Sequence, residues 1–209
     1  MTINTLTNFK YTETAHSPGY NRLQRMGRRL WAPMFLMAVM AWPVGFALAI
    51  VRANELASAS PDPTTVARLG QVVPAVMFIG FLSVFAAVSF AIARILGVFR
   101  KGGGDVQEAS GRRVLTLKMT AAAKLFVALM AMAMMIIAVA VVLHFVVAGS
   151  VDTWSQATIE QWSITLEAVR RIGVAIYLVA IALGLGAIIT VLRFQTIRVR
   201  QLPSETANG

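Results

Sequence analysis

Four stretches of this chain carry no Asp, Glu, Lys or Arg: Trp31 to Val51, Leu69 to Ala93, Leu125 to Val151 and Ile172 to Leu192. Each reaches the roughly 20 residues that a helix rising ~1.5 Å per residue needs to cross a ~30 Å hydrocarbon core. None alternates apolar with polar positions as the strands of a membrane barrel must. A helix satisfies its own backbone hydrogen bonds in lipid, so the pattern predicts an all-α membrane protein of four transmembrane helices. The spans fall at about 31–51, 72–93, 125–149 and 172–192. They form a four-helix domain over 31–192, between an N-terminal tail (1–30) and a C-terminal tail (193–209).

A fifth helical pattern precedes the last span. Ile159, Trp162, Leu166 and Val169 recur at intervals of three or four, while Gln156, Glu160, Ser163, Glu167 and Arg170 occupy other faces. This predicts an outer amphipathic helix over about 154–170 leading into helix 4. Thr153-Trp154-Ser155-Gln156 has the form of a capping box for its start. Two continuations are open: one rod of roughly 40 residues with helix 4, or a bend near Arg171-Ile172-Gly173 that lays the helix in the interface. Its apolar stripe is covered by lipid, by this chain's own helices, or by an extracytoplasmic partner.

The remaining connections read as loops. Ser58 to Thr65 is a breaker cluster in which Asp62 or Thr64 can cap the next helix. Lys101-Gly102-Gly103-Gly104-Asp105 reads as a flexible joint, followed by an amphipathic lead into helix 3. Residues 1–21, rich in Thr and Asn, are expected to be disordered unless tied down, with a neighbouring subunit as the simplest tie. Arg25, Arg28 and Arg29 before an apolar run ending in Ala47-Leu48-Ala49 resemble a signal peptide, but 31–51 is read as a retained span. Pro43 falls in the middle of helix 1 and is expected to kink it.

Composition sharpens the class. Apolar residues make up 57%, charged residues only 13%, and the mean hydropathy is +0.71, which excludes an ordinary soluble domain. Lys and Arg are distributed by side. The N-terminal tail, the second connection and the C-terminal tail hold fifteen of them, and the other side holds only Arg52, Arg68, Arg170 and Arg171. Such asymmetry in short loops predicts both termini in the cytoplasm, in a plasma or inner membrane. The net charge of +10 is therefore a topology signal. It points to anionic lipids as partners and not to nucleic acid, whose binding would need the basic residues gathered on one surface with aromatic or polar readers. The absence of cysteine removes disulfides, thiolate metal sites and cysteine nucleophiles.

Inside the spans little chemistry remains. An ionisable group at mid-bilayer costs at least ~2.5 kcal/mol and marks a pathway or relay. The only such candidate is His144 near the outer end of helix 3, expected to bond a backbone carbonyl or water rather than a metal or haem. Met34, Met37 and Met40 on helix 1 and Met130, Met132, Met134 and Met135 on helix 3 could ligate Cu(I), but on helix 3 Met130 lies ~21 Å along the axis from His144. They are read as packing material. Ala180, Gly184, Gly186 and Ala187 on helix 4, with Ala123, Ala131 and Ala138 on helix 3, read as close-packing positions.

No catalytic, cofactor-binding or metal site is expected, and the chain is not expected to be an enzyme by itself. The expected function is an accessory or structural subunit of a larger membrane complex, with respiratory or copper-monooxygenase oxidoreductases as the analogy. Its partners would be other membrane subunits, including an extracytoplasmic one at the 154–170 helix. The alternative is a small homo-oligomeric transporter or channel, in which Ser83, Ser89, Tyr177 and Thr190 would line the pathway.

Overall fold

Local chemistry starts and stops each helix in the computed structural model, which describes residues 6–207. Helix α1 (Arg22–Leu56) begins at a reciprocal box: the Gln24 N–H donates to Asn21 Oδ1 at 2.8 Å and the Asn21 N–H to Gln24 Oε1 at 3.0 Å. Helix α2 (Pro63–Ala109) begins at Asp62, whose carboxylate accepts the N–H groups of Thr64 and Thr65, with Pro63 at the first helical position. The Thr65 hydroxyl and the Thr64 N–H hold the Asp62 carboxyl below its ordinary range. Helix α3 (Ala121–Gly149) is capped by the Thr120 hydroxyl, which accepts from the Ala123 N–H. Helix α4 (Gln156–Ala207) is capped by Ser155, whose Oγ accepts from the Thr158 N–H. The cap is thus Ser155 and not Thr153, whose hydroxyl donates instead to the Ser150 carbonyl.

All four helices are long and apolar enough to cross a membrane, which marks the chain as an integral membrane protein. Helices α1, α2 and α4 run well beyond the uncharged stretches, whereas α3 begins four residues before its own and ends at Gly149 within it. The amphipathic segment and the last span form one helix without interruption, and α1 continues through Pro33 and Pro43.

Two expectations about loops are corrected. The glycine triplet is helical, not a flexible joint. It is a contact surface, because a Cβ on Gly103 would collide with the Gln195 side chain and one on Gly104 would lie 2.6 Å from Ser17 Oγ. The helix ends instead at Gly111, the one described residue with a left-handed φ (66°). There the Gly111 N–H donates to Glu108 O and the Arg112 N–H to Gln107 O, the paired bonds of a Schellman motif.

The segment after it is a strand. β2 (Val114–Leu117) pairs antiparallel with β1 (Tyr11–Thr14), from Tyr11 opposite Leu117 to Thr14 opposite Val114. Arg113 and Glu13 form an ion pair at 3.0 Å beside the ladder. His16 Nδ1 and the Ser17 N–H both bond the Glu108 carboxylate. The tail is therefore tied down by its own chain, and no neighbouring subunit is needed to order residues 11–17.

The chain forms two compact units. Unit 1 comprises Met1–Leu30, Ser89–Val127 and Ala180–Gly209, and unit 2 comprises Trp31–Val88 and Ala128–Val179. The fifteen Lys and Arg residues assigned to one side by sequence all fall in unit 1, and the other four all fall in unit 2.

Packing on α3 and α4 follows a seven-residue repeat. The buried residues of α3 include Phe126, Ala133, Ala140 and Val147, interleaved with Met130, Ile137 and His144. Those of α4 include Ile159, Leu166, Ala180, Ala187 and Phe194, interleaved with Arg170, Tyr177 and Arg198. Spacing of 3.5 residues keeps one seam of each helix facing its neighbours. Small residues let the backbones close in: a Cβ on Gly173 would meet Ile137 Cγ1 at 2.7 Å, and one on Gly184 would meet Phe126 at 2.9 Å. The α3 seam uses Ala133 and Ala140, while Ala131, expected to pack, is exposed.

Candidate functional site

A polar cluster lies within the apolar seam of unit 2. Gln71 on α2, His144 on α3 and Ser163, Glu167 and Arg170 on α4 contribute to it. Arg170 is buried on the α4 seam, and Ser163, seven residues earlier, is half-buried beside the apolar seam residues Ile159 and Leu166.

Its bonds run in sequence. His144 Nδ1 and Gln71 Oε1 are 2.8 Å apart, the Gln71 amide donates to Ser163 Oγ, and Ser163 Oγ donates to the Ile159 carbonyl at 2.8 Å. An amide oxygen can only accept, so Nδ1 holds the imidazole proton. Nε2 is then an acceptor; it is buried without a hydrogen-bond partner. Arg170 is 6% exposed. It pairs with Glu167 three residues earlier and stands 4.4 Å over the centre of the Phe78 ring. Glu167 also accepts from Arg171 Nε at 2.9 Å, so one carboxylate faces two guanidiniums.

This arrangement fastens three helices with directional bonds inside an apolar surrounding. It offers one neutral imidazole with an available lone pair, but no nucleophile beside a base. Among the described residues there is no group of three His, Cys, Asp or Glu side chains close enough to hold a metal ion. His144 bonds a side-chain amide, where a backbone carbonyl or water was expected.

The other residues singled out by sequence are dispersed. Met130 is buried while Met37, Met40, Met132 and Met135 are exposed, so the methionines form no common face. Ser83 donates to Ile79 O and Thr190 to Gly186 O, each back-bonding its own helix at 2.8 Å. Tyr177 is buried with its ring stacked on Phe85, centroids 3.5 Å apart.

The apolar stripe of the 154–170 segment is covered by the chain itself. Ile159 and Leu166 pack with Ala140, Val147 and Val151, flanked by Trp154, Trp162 and Val169. The face left open carries Ile164, 66% exposed, in a shallow depression with Ser163, Glu167, Ala168 and Arg171.

Sequence reading missed Gln71 and Arg170, the first for lying at the edge of an uncharged stretch and the second for looking like a solvent-side charge. Extending the Ile159–Leu166 repeat by sevens along with its interleaved positions would have placed Arg170 and Arg198 inward.

No protein-family model, curated protein or solved structure matches this chain.

Proposed function

We propose that this chain is a non-catalytic accessory subunit of a larger membrane complex, with both termini in the cytoplasm. The observation that carries the reading is α1. Only 11% of its most apolar window is buried within the chain, against 39%, 33% and 28% for α2, α3 and α4. Its free surface presents Phe35, Leu36, Met40, Phe46 and Ile50, large and adaptable side chains suited to packing against further helices. The depression around Ile164 is the second surface, an apolar contact rimmed by Glu167 and Arg171 on an otherwise polar face, suited to an extracytoplasmic partner. A membrane oxidoreductase is the analogy for the complex, with the redox centres in other chains. The exposed Lys and Arg residues of unit 1 meet anionic headgroups on the cytoplasmic side, each contributing about 1 kcal/mol near the surface.

The test is gentle detergent extraction from the native membrane, followed by sizing and mass spectrometry of co-migrating chains. Stable co-migration with larger subunits is expected. A lone species of 22.6 kDa or a simple multiple of it would overturn the reading and favour the homo-oligomeric transporter or channel.

A further inference from the structure

Unit 1 holds a half-open cavity of about 320 Å³ with a mixed apolar and polar lining. Leu96, Phe126, Val127 and Val191 contribute apolar surface to it. Arg100, Thr116, Lys118, Thr120 and Gln195 contribute polar groups, and among the described residues that line the cavity none is acidic.

Two of these residues carry a buried atom without a hydrogen-bond partner, Arg100 Nε and Thr116 Oγ1, whereas the Gln195 amide lies against Gly103. Thr116 is 6% exposed on the inward face of β2, so bulk water cannot satisfy its hydroxyl. Buried polar atoms left unpaired each cost about 1–3 kcal/mol, and Arg100 and Thr116 bring two of them to residues of one cavity lining. The first turn of α3 also opens here, through Met119, Thr120 and Ala123. The N-terminal end of a 29-residue helix adds positive potential to that of Arg100 and Lys118.

These features select a ligand. Two cations and a helix N-terminus with no opposing carboxylate demand an anion, and the Arg100 Nε–H and Thr116 hydroxyl are donors for its oxygens. The apolar surface requires a hydrocarbon portion. The volume lies near the lower end of the ~300–1,000 Å³ range of small-ligand sites, enough for a headgroup and the beginning of a chain but not for a whole two-chain lipid. We infer that this cavity binds the headgroup of an acidic phospholipid, with phosphate at Arg100, Lys118 and Thr116. The site goes beyond the diffuse attraction of basic residues to a membrane surface, and it stands whether or not the chain belongs to a complex.

Native mass spectrometry of the full-length detergent-purified chain, titrated with phosphatidylglycerol or phosphatidylcholine, tests it. Phosphatidylglycerol is expected to bind more tightly. The Arg100→Gln/Lys118→Gln pair is expected to lose about tenfold or more of that affinity, and Thr116→Val, which keeps the β-branched shape, about threefold. Arg22→Gln/Arg29→Gln removes two exposed charges outside the cavity and is expected to leave binding within about twofold. Equal loss in both double variants would overturn the site in favour of diffuse attraction, as would undiminished binding by a folded Thr116→Val chain. Competition by inorganic phosphate or glycerol 3-phosphate at concentrations matching the lipid would overturn the lipid as ligand. Should the charge-pair variant fail to fold, the Thr116→Val and competition measurements decide.

Discussion

Gln107 in unit 1 and Gln71 in unit 2 are both buried side-chain amides, 0% and 3% exposed, yet they are used differently. The Gln107 amide donates to Gly103 O and Leu115 O, and its oxygen accepts from the Leu115 N–H and from Arg198 Nε. It joins α2, β2 and the buried Arg198 of α4 through four bonds. Gln71 has one partner at each end, His144 and Ser163, and its network stops at an unpaired His144 Nε2. Unit 1 is a polar assembly in which backbone groups of a strand depend on side chains. Unit 2 is an apolar seam with a short polar clasp, and its helices complete their own backbone bonds. Removing the same chemical group should therefore cost more where irregular backbone depends on it.

The sharpest test replaces each glutamine by leucine. Gln107→Leu leaves the Leu115 N–H and a buried guanidinium nitrogen short of a partner, and should destabilise the protein by roughly 3 kcal/mol. Gln71→Leu should cost about 1 kcal/mol or less, as for most interhelical bonds in membranes. Unfolding in mixed micelles of rising SDS content, followed by circular dichroism, measures both. Equal costs, or the reverse order, would break the comparison.

Glycine contacts give the next effect. A Cβ on Gly27 in unit 1 would lie 2.6 Å from the Phe90 carbonyl oxygen, whereas one on Gly45 in unit 2 would lie 2.8 Å from the Met77 sulfur. Backbone cannot yield without moving a helix, but a thioether can rotate away. Gly27→Ala should cost about 1–3 kcal/mol by overpacking, and Gly45→Ala should be nearly neutral in the same unfolding assay.

The smallest expected effect is the acid sensitivity of the α2 cap in unit 2. Asp62 is held below its ordinary value of 3.8, so the cap is fully present above that value and is lost as pH falls through the lower folded-state value. The thermal midpoint should show a small decline on acidification below about pH 4 that Asp62→Ala abolishes. A decline that persists in the variant would assign the acid step to another group.

Much of the helical framework was legible before any tertiary contact. The Asp62 cap, the four spans and the charge asymmetry follow from local sequence, and the division of the fifteen and four cations matches the two units. The candidate site was legible only in His144. Its partner Gln71 is 73 residues away in sequence, and no local rule joins them. The ladder was missed for the same reason: Tyr11 pairs with Leu117, and four residues in each strand are too few for a pattern to stand out.

What the sequence determined by itself was the number of helices, their apolar length and the sorting of charge, because lipid solvation and helix capping act on neighbouring residues. Which face of each helix turns inward belonged to the tertiary structure. On α3, apolar almost throughout, nothing in composition prefers Ala133 to Ala131. On α4, Arg170 and Arg198 are buried because Glu167, Phe78 and Gln107 are waiting at the right turns of the chain. A buried charge is tolerated only where partners from distant segments converge on it, and that convergence is a property of the fold.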